Sequence, residues 1–296
     1  MQVLEAAIGA SANPWPLRRE RAAELAERYP HATEMMKLYS ALIDPMEDAF
    51  RSAIPSPAGR GANVVRVAGF PAWAGQDGGL NLEEVATFAA DRVLPGVVDA
   101  TVSAGPARLR DGVISVFATA DLPALIQRWL DNQSLTPFET YLARASASPI
   151  LEALSKKPDP TLPTRGREGA GSGDRLCPRC GGLPQVSFFA VSGEALVSGP
   201  RYLVCSRCAT NWIFSRMTCA GCGETDGAKL PIFQDEKQLP HVRVDGCRTC
   251  NRYLLTVDLR RDARAVPIVD ELAALPLDLY AVDQGLTKIT PNLLGN

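Results

Sequence analysis

The sequence predicts an α+β multidomain protein: an all-α N-terminal domain followed by two small four-cysteine β modules. Three observations carry this. All eight cysteines lie after residue 176, in four CxxC pairs. The first 154 residues show apolar positions at helical spacing. Between the halves, residues 155–174 hold three prolines, four glycines, seven charges and only Leu162 and Ala170 as apolar residues. Such a stretch buries too little surface to offset its ordering entropy and is expected to be a linker. A length of 296 residues suits two domains at roughly 150 residues each.

In the first half, Leu17, Ala22, Leu25, Ala26 and Tyr29 form a helical stripe that Pro30 stops. Met35, Leu38, Tyr39, Leu42, Ile43, Met46 and Phe50 form a longer one, with Pro45 expected to kink or break it. Asn81 and Glu84 are placed to cap a helix through Leu82, Val85, Ala86, Ala89 and Val93, which Pro95-Gly96 is expected to end. Leu122, Leu125, Ile126 and Trp129 mark another helix. Thr136-Pro137-Phe138-Glu139 opens the last with a cap, a proline at its first position and a glutamate at its third. No Ser, Cys or Asp arrangement around His31 suggests a triad, and it is expected to be structural or solvent-facing. Gly59-Arg60-Gly61 lacks the spacing of a phosphate loop. Residues 1–154 read as a scaffold.

The cysteine half repeats with a period of 42 residues: Cys177, Cys180, Cys205 and Cys208 map onto Cys219, Cys222, Cys247 and Cys250. Each copy reads C-x2-C-x24-C-x2-C, close to four-cysteine zinc ribbons. Two residues between cysteines aim both sulfurs at one ion, and Gly181 and Gly223 supply the positive φ that such a turn needs. The repeat favours one ion per copy over a cross-brace between copies. A module of about 40 residues cannot build a sufficient core, so the metal is expected to supply much of its folding energy. Loss of one quartet is then expected to unfold mainly its own module. Soft thiolates suit zinc and iron alike, and a closed tetrathiolate leaves no position for substrate. Expected strands are 185–189, 202–204 and 211–214, then 230–233, 242–244 and 253–257. His241, outside the knuckles, is expected to be an exposed strand residue.

Charge and hydropathy exclude other classes. Net charge is −2 with a pI near 5.8. Residues 174–258 carry ten Lys/Arg and eight Asp/Glu, a net of +2, which two filled tetrathiolate sites would turn negative. With no basic stripe interleaved with aromatics, a nucleic-acid-binding ribbon is the second reading. No run of about 18 apolar residues exists to span a membrane, and no export signal is visible at the start. With no signal for oxidising compartments, the thiols are expected to be free for metal rather than paired in disulfides.

The runs Cys177-Pro-Arg-Cys180-Gly-Gly-Leu-Pro184, Leu203-Val-Cys205-Ser-Arg-Cys208-Ala-Thr-Asn-Trp212 and Arg216-Met-Thr-Cys219-Ala-Gly-Cys222-Gly223 resemble the formate dehydrogenase accessory protein FdhE family. Val269-Asp-Glu-Leu-Ala-Ala-Leu275, with Leu277-Asp278 and Gly285, is similar to that family's C-terminal helix. The resemblance implies two rubredoxin-like modules at 175–216 and 217–264, a helical tail at 265–296, and two iron ions per chain with zinc as the alternative. It implies a cytoplasmic protein without catalysis of its own, needed to mature respiratory formate dehydrogenase by binding that enzyme's catalytic subunit.

Overall fold

The computed structural model describes residues 13–53, 82–156, 175–191 and 199–295. Asn81, Gly59 to Gly61 and all but the first two residues of the expected linker lie outside them. Among the described residues, those of Met1–Met36 and Thr164–Leu294 form one compact unit, and those of Lys37–Pro163 form another. No described helix is long and apolar enough to cross a membrane.

The helices are α1 (Trp15–Arg28), α2 (Thr33–Ala53), α3 (Leu82–Phe88), α4 (Leu94–Ala104), α5 (Ala107–Thr119), α6 (Leu122–Leu130) and α7 (Pro137–Ser155). The Thr136 box forms as expected: Thr136 Oγ1 accepts from the Glu139 N–H at 3.4 Å, and Glu139 Oε2 accepts from the Thr136 N–H at 2.8 Å. That N–H bond holds the Glu139 carboxyl below its usual range. Nearly every residue of α7 from Tyr141 to Leu154 is buried, as befits a helix at the centre of a bundle. Tyr141 hydrogen-bonds Thr101 at 2.6 Å within that core, and burial pushes its phenol up to about 12.

Neither of two prolines breaks its helix. Pro45 lies inside α2, which runs unbroken from Thr33 to Ala53. Pro95 does not end its helix either. A π-turn over Ala89–Val93 absorbs the irregularity, and the proline then occupies the first turn of α4, where its missing N–H costs nothing. Gly96 beside it allows a close approach, since a Cβ there would lie 3.0 Å from Pro45 Cβ.

The cysteine-bearing unit is built on one sheet. Its strands are β1 (Pro184–Phe189), β2 (Arg201–Cys205), β3 (Asn211–Phe214), β4 (Ile232–Gln234), β5 (Val242–Cys247), β6 (Arg252–Asp258) and β7 (Thr287–Lys288). The order is β3-β2-β1-β6-β5-β4, with β7 also on β6. Each module contributes an antiparallel set, and the first strand of one joins the last of the other in parallel, Val186 opposite Leu255 through Phe189 opposite Asp258. The modules therefore share a continuous hydrogen-bonded ladder and are not two independent sheets. Cross-strand register places Val186, Phe188, Val242, Val244, Leu255 and Val257 on one face, all buried. Helices α8 (Pro267–Ala273) and α9 (Leu275–Asp283) pack on the sheet. Tyr253 Oη donates to Asp278 Oδ1 at 2.8 Å, and Lys288 pairs with both Glu271 and Asp278. The C-terminal stretch expected as a helical tail thus supplies a strand as well.

Helix α1 was expected in the all-α domain of residues 1–154, yet it packs with the cysteine-bearing unit, against α8. Ion pairs join them. Arg21 reaches Asp270 at 2.5 Å and Asp262 at 2.8 Å. His241, expected to be exposed, is only 2% exposed because its Nε2 lies 2.8 Å from Asp270 Oδ1. His31 is exposed, and its Nε2 lies 2.9 Å from the Ala273 carbonyl.

Candidate metal centres

Each CxxC forms the same turn. The Cys177 N–H donates to the Gly182 carbonyl at 2.8 Å, Cys205 to Thr210 at 3.0 Å and Cys219 to Glu224 at 2.8 Å. The residue after each pair takes a positive φ: Gly181 at +69°, Ala209 at 51°, Gly223 at +87° and Asn251 at 51°. Glycine was legible at two of the four positions. The others hold residues for which this region is strained, alanine more than asparagine. Ala209→Gly is expected to raise stability of the metal-loaded protein by about 0.5–1 kcal/mol, and Gly181→Ala to lower it by about 1 kcal/mol, both read from urea melts. An unchanged midpoint for both would count against the turn's being strained.

The turns bring the sulfurs of Cys177, Cys180, Cys205 and Cys208 together in one group and those of Cys219, Cys222, Cys247 and Cys250 in another, each within 4.8 Å of the rest of its group. In the first, Cys177 and Cys208 are 3.7 Å apart, Cys180 and Cys205 3.4 Å, and Cys180 and Cys208 3.5 Å. In the second, Cys219 and Cys250 are 3.8 Å apart, and Cys222 and Cys247 3.7 Å. A disulfide would need about 2.05 Å. A tetrahedron with metal–sulfur bonds of about 2.3 Å has edges of about 3.8 Å. The spacing fits four thiolates around one ion.

The surroundings fit it too. Backbone N–H groups of Arg179, Arg207 and Gly221 point at Cys177, Cys205 and Cys219 Sγ at 3.4, 3.4 and 3.3 Å, donors that favour thiolate. Gly182 leaves room for the cradle, since a Cβ there would sit 2.9 Å from Cys205 Sγ. Bonds from the neighbouring thiols, with burial, push the Cys177 thiol up, and burial pushes Cys219 and Cys250 up. Burial opposes ionisation of Cys247 as well, but the Cys250 and Thr249 N–H groups outweigh it and hold that thiol low. Four sulfurs so crowded need a cation to ionise together.

The centres differ in exposure. All four cysteines of the first are buried, whereas Cys222 and Cys250 of the second are half-buried. In the second, Thr249 Oγ1 donates to Glu224 Oε2 at 2.6 Å, tying one knuckle to the other. This bond, with the Asp226 and Thr225 N–H groups and Lys229, brings the Glu224 carboxyl down to about 2.

The family described as the FdhE central domain matches residues 176–216, and the FdhE C-terminal domain matches residues 217–294. An FdhE homolog of Aquifex aeolicus is 37% identical over 119 residues, 40% of this chain and 41% of that protein. One of Pseudomonas putida is 32% identical over 164 residues, 54% of this chain and 48% of that protein. The matches thus span less than half the length of these relatives. The crystal structure of the FdhE protein from Pseudomonas aeruginosa shares the fold, with a TM-score of 0.64 over 96% of both chains at 22% identity. The matched domains hold every cysteine of both sulfur groups, and over residues 176–294 the chain is similar to the FdhE family.

Proposed function

We propose that this chain is a metal-binding assembly factor that acts in the cytoplasm, binding the catalytic subunit of a respiratory formate dehydrogenase while that enzyme matures. The observation that carries the reading is the pair of closed sulfur tetrahedra within FdhE domains. Cys177, Cys180, Cys205 and Cys208 would hold one ion, and Cys219, Cys222, Cys247 and Cys250 the second. Four thiolates fill a tetrahedral site, so no position is open to a substrate, which supports a protein without turnover of its own. A bound ion supplies folding free energy and, if it is iron, a one-electron couple. Iron is the proposed occupant and zinc its substitute in preparations, a choice that rests on the rubredoxin-like resemblance because thiolates accept both.

The test is capture. A tagged copy is expected to co-purify with the formate dehydrogenase catalytic subunit, and loss of the gene to abolish that enzyme's activity while its mRNA persists. Protein purified without oxygen is expected to hold two iron ions per chain and to be coloured. Colourless zinc protein that still supports maturation would overturn the iron assignment. Failure to capture the subunit, together with DNA or RNA binding that survives physiological salt, would overturn the assembly reading in favour of a nucleic-acid ribbon.

A further inference from the structure

Beside the second centre the sheet carries a cavity of about 210 Å³ whose lining includes five arginines, Arg201, Arg216, Arg243, Arg252 and Arg260, against a single aspartate, Asp245. The chain as a whole has a net charge of −2, so this concentration of positive charge is local. Register explains how it arises. Phe189 and Arg201 are opposite each other on β1 and β2, as are Arg243 and Thr256 on β5 and β6. Their side chains rise on the sheet face opposite the one that buries Phe188 and Val244.

Three of the guanidiniums gather on one ring. Arg216, Arg243 and Arg260 lie 4.6, 4.7 and 5.1 Å from the centroid of Phe189. Their acidic partners do not balance them. Asp258 takes Arg260 through two bonds of 2.7 and 2.5 Å. Asp245 is shared between Arg201 at 3.1 Å and Arg243 at 2.8 Å, the latter too poorly aligned for a hydrogen bond. Arg216 bonds the Gly199 carbonyl, and its buried Nε has no hydrogen-bond partner among the described residues. Burial and the neighbouring Arg260 hold the Arg216 guanidinium below its usual value. Arg201 is fixed from beneath by Ser187 and by the Ser215 and Thr218 carbonyls, so it is framework rather than free donor.

Crowded cations lining a concave site are what a multiply charged oxyanion satisfies. Guanidinium forks match its oxygens in pairs. Leu230, Pro231 and Ile289 add an apolar wall to the cavity, and Met217 and Ile232 at the lining are exposed. A bare anion would leave this wall unused. The volume is below the roughly 300–1000 Å³ of drug-sized sites, room for a phosphoryl group and a small substituent.

We propose that this cavity is a binding site for a phosphate monoester of a small apolar or aromatic group, held by Arg216, Arg243 and Arg260 with the Leu230–Ile289 wall against its substituent. The site does not depend on the assembly reading, because its test needs no formate dehydrogenase. Calorimetric titration of the metal-loaded full chain with phenyl phosphate and with inorganic phosphate is expected to show saturable binding of both, phenyl phosphate about tenfold tighter. Arg216→Gln and Arg260→Gln are each expected to weaken phenyl phosphate about tenfold or more, the loss of one charge-assisted contact, with metal content unchanged. Arg260 is exposed at the surface, so its variant serves if Arg216→Gln fails to fold. No saturable binding to the native chain, or equal binding by the Arg260→Gln variant, would overturn the proposal. So would a single-stranded oligonucleotide that binds the cavity while phenyl phosphate does not, since the arginines would then serve a nucleic-acid backbone.

Discussion

Replacing Cys219 by serine is expected to empty the second centre and to unfold the whole cysteine-bearing unit, with a stability loss on the order of 5 kcal/mol or more. The scale follows from the metal. A structural tetrathiolate ion contributes about 10–16 kcal/mol of binding free energy in small modules, against a total domain stability of roughly 5–15 kcal/mol. The reach follows from the sheet. β1 of the first module is bonded to β6 of the second over four residue pairs, Val186–Leu255 to Phe189–Asp258. β6 in turn leads back to the second centre, because Cys250 lies two residues before its start. Fraying of β6 exposes one side of β1, a strand whose residues are all buried. Hydrogen exchange should therefore show Val186 to Phe189 losing protection along with β5 and β6. The helices of the Lys37–Pro163 unit should keep their far-ultraviolet dichroism. Native protection in β1, β2 and β3 beside an unfolded second module would show that the shared ladder does not couple them.

Features encoded locally were legible in the sequence. The strands are found where β-branched and aromatic runs place them, because a pleated, half-buried surface selects those side chains over short windows. The cysteine spacing groups the sulfurs correctly, since each knuckle is a turn of a few residues and the repeat assigns the partners. The Thr136 box is a contact between residues three apart. What escaped depends on distant partners. Nothing near Val186 announces a parallel neighbour about 70 residues on. Pro95 reads as a stop unless a π-turn is foreseen, and a π-turn has no sequence signature here. His241 reads as exposed because its partner Asp270 is on a helix 29 residues later. The arginine cavity was invisible for the same reason. Its cations come from five separate places between residues 201 and 260, and a regional net charge of +2 averages them away.

The second large effect is expected at Asp270. Its carboxylate is 1% exposed and does four things at once. It takes Arg21 at 2.5 Å, accepts from His241 at 2.8 Å, accepts from the Val266 N–H at 2.7 Å, and places negative charge in the first turn of α8. Arg21, 2% exposed, has burial working against its charge, yet Asp270 and then Asp262 more than offset this and hold the guanidinium above its usual value. Removing either partner leaves the other charged in a buried site. Asp270→Ala and Arg21→Ala are therefore each expected to cost about 3–5 kcal/mol, far more than a surface pair at about 0–1 kcal/mol. The double variant Arg21→Met, Asp270→Leu should lose less than the sum of the singles, because the stranded charge is gone and an apolar pair of similar volume replaces it. Urea denaturation of the metal-loaded protein measures all three, and the loss should appear as weakened docking of α1, through faster exchange at Ala22 and Leu25. Single losses below about 1 kcal/mol that simply add would mean that α1 is held by Trp15 and Leu25 in the core alone, with the ion pair incidental.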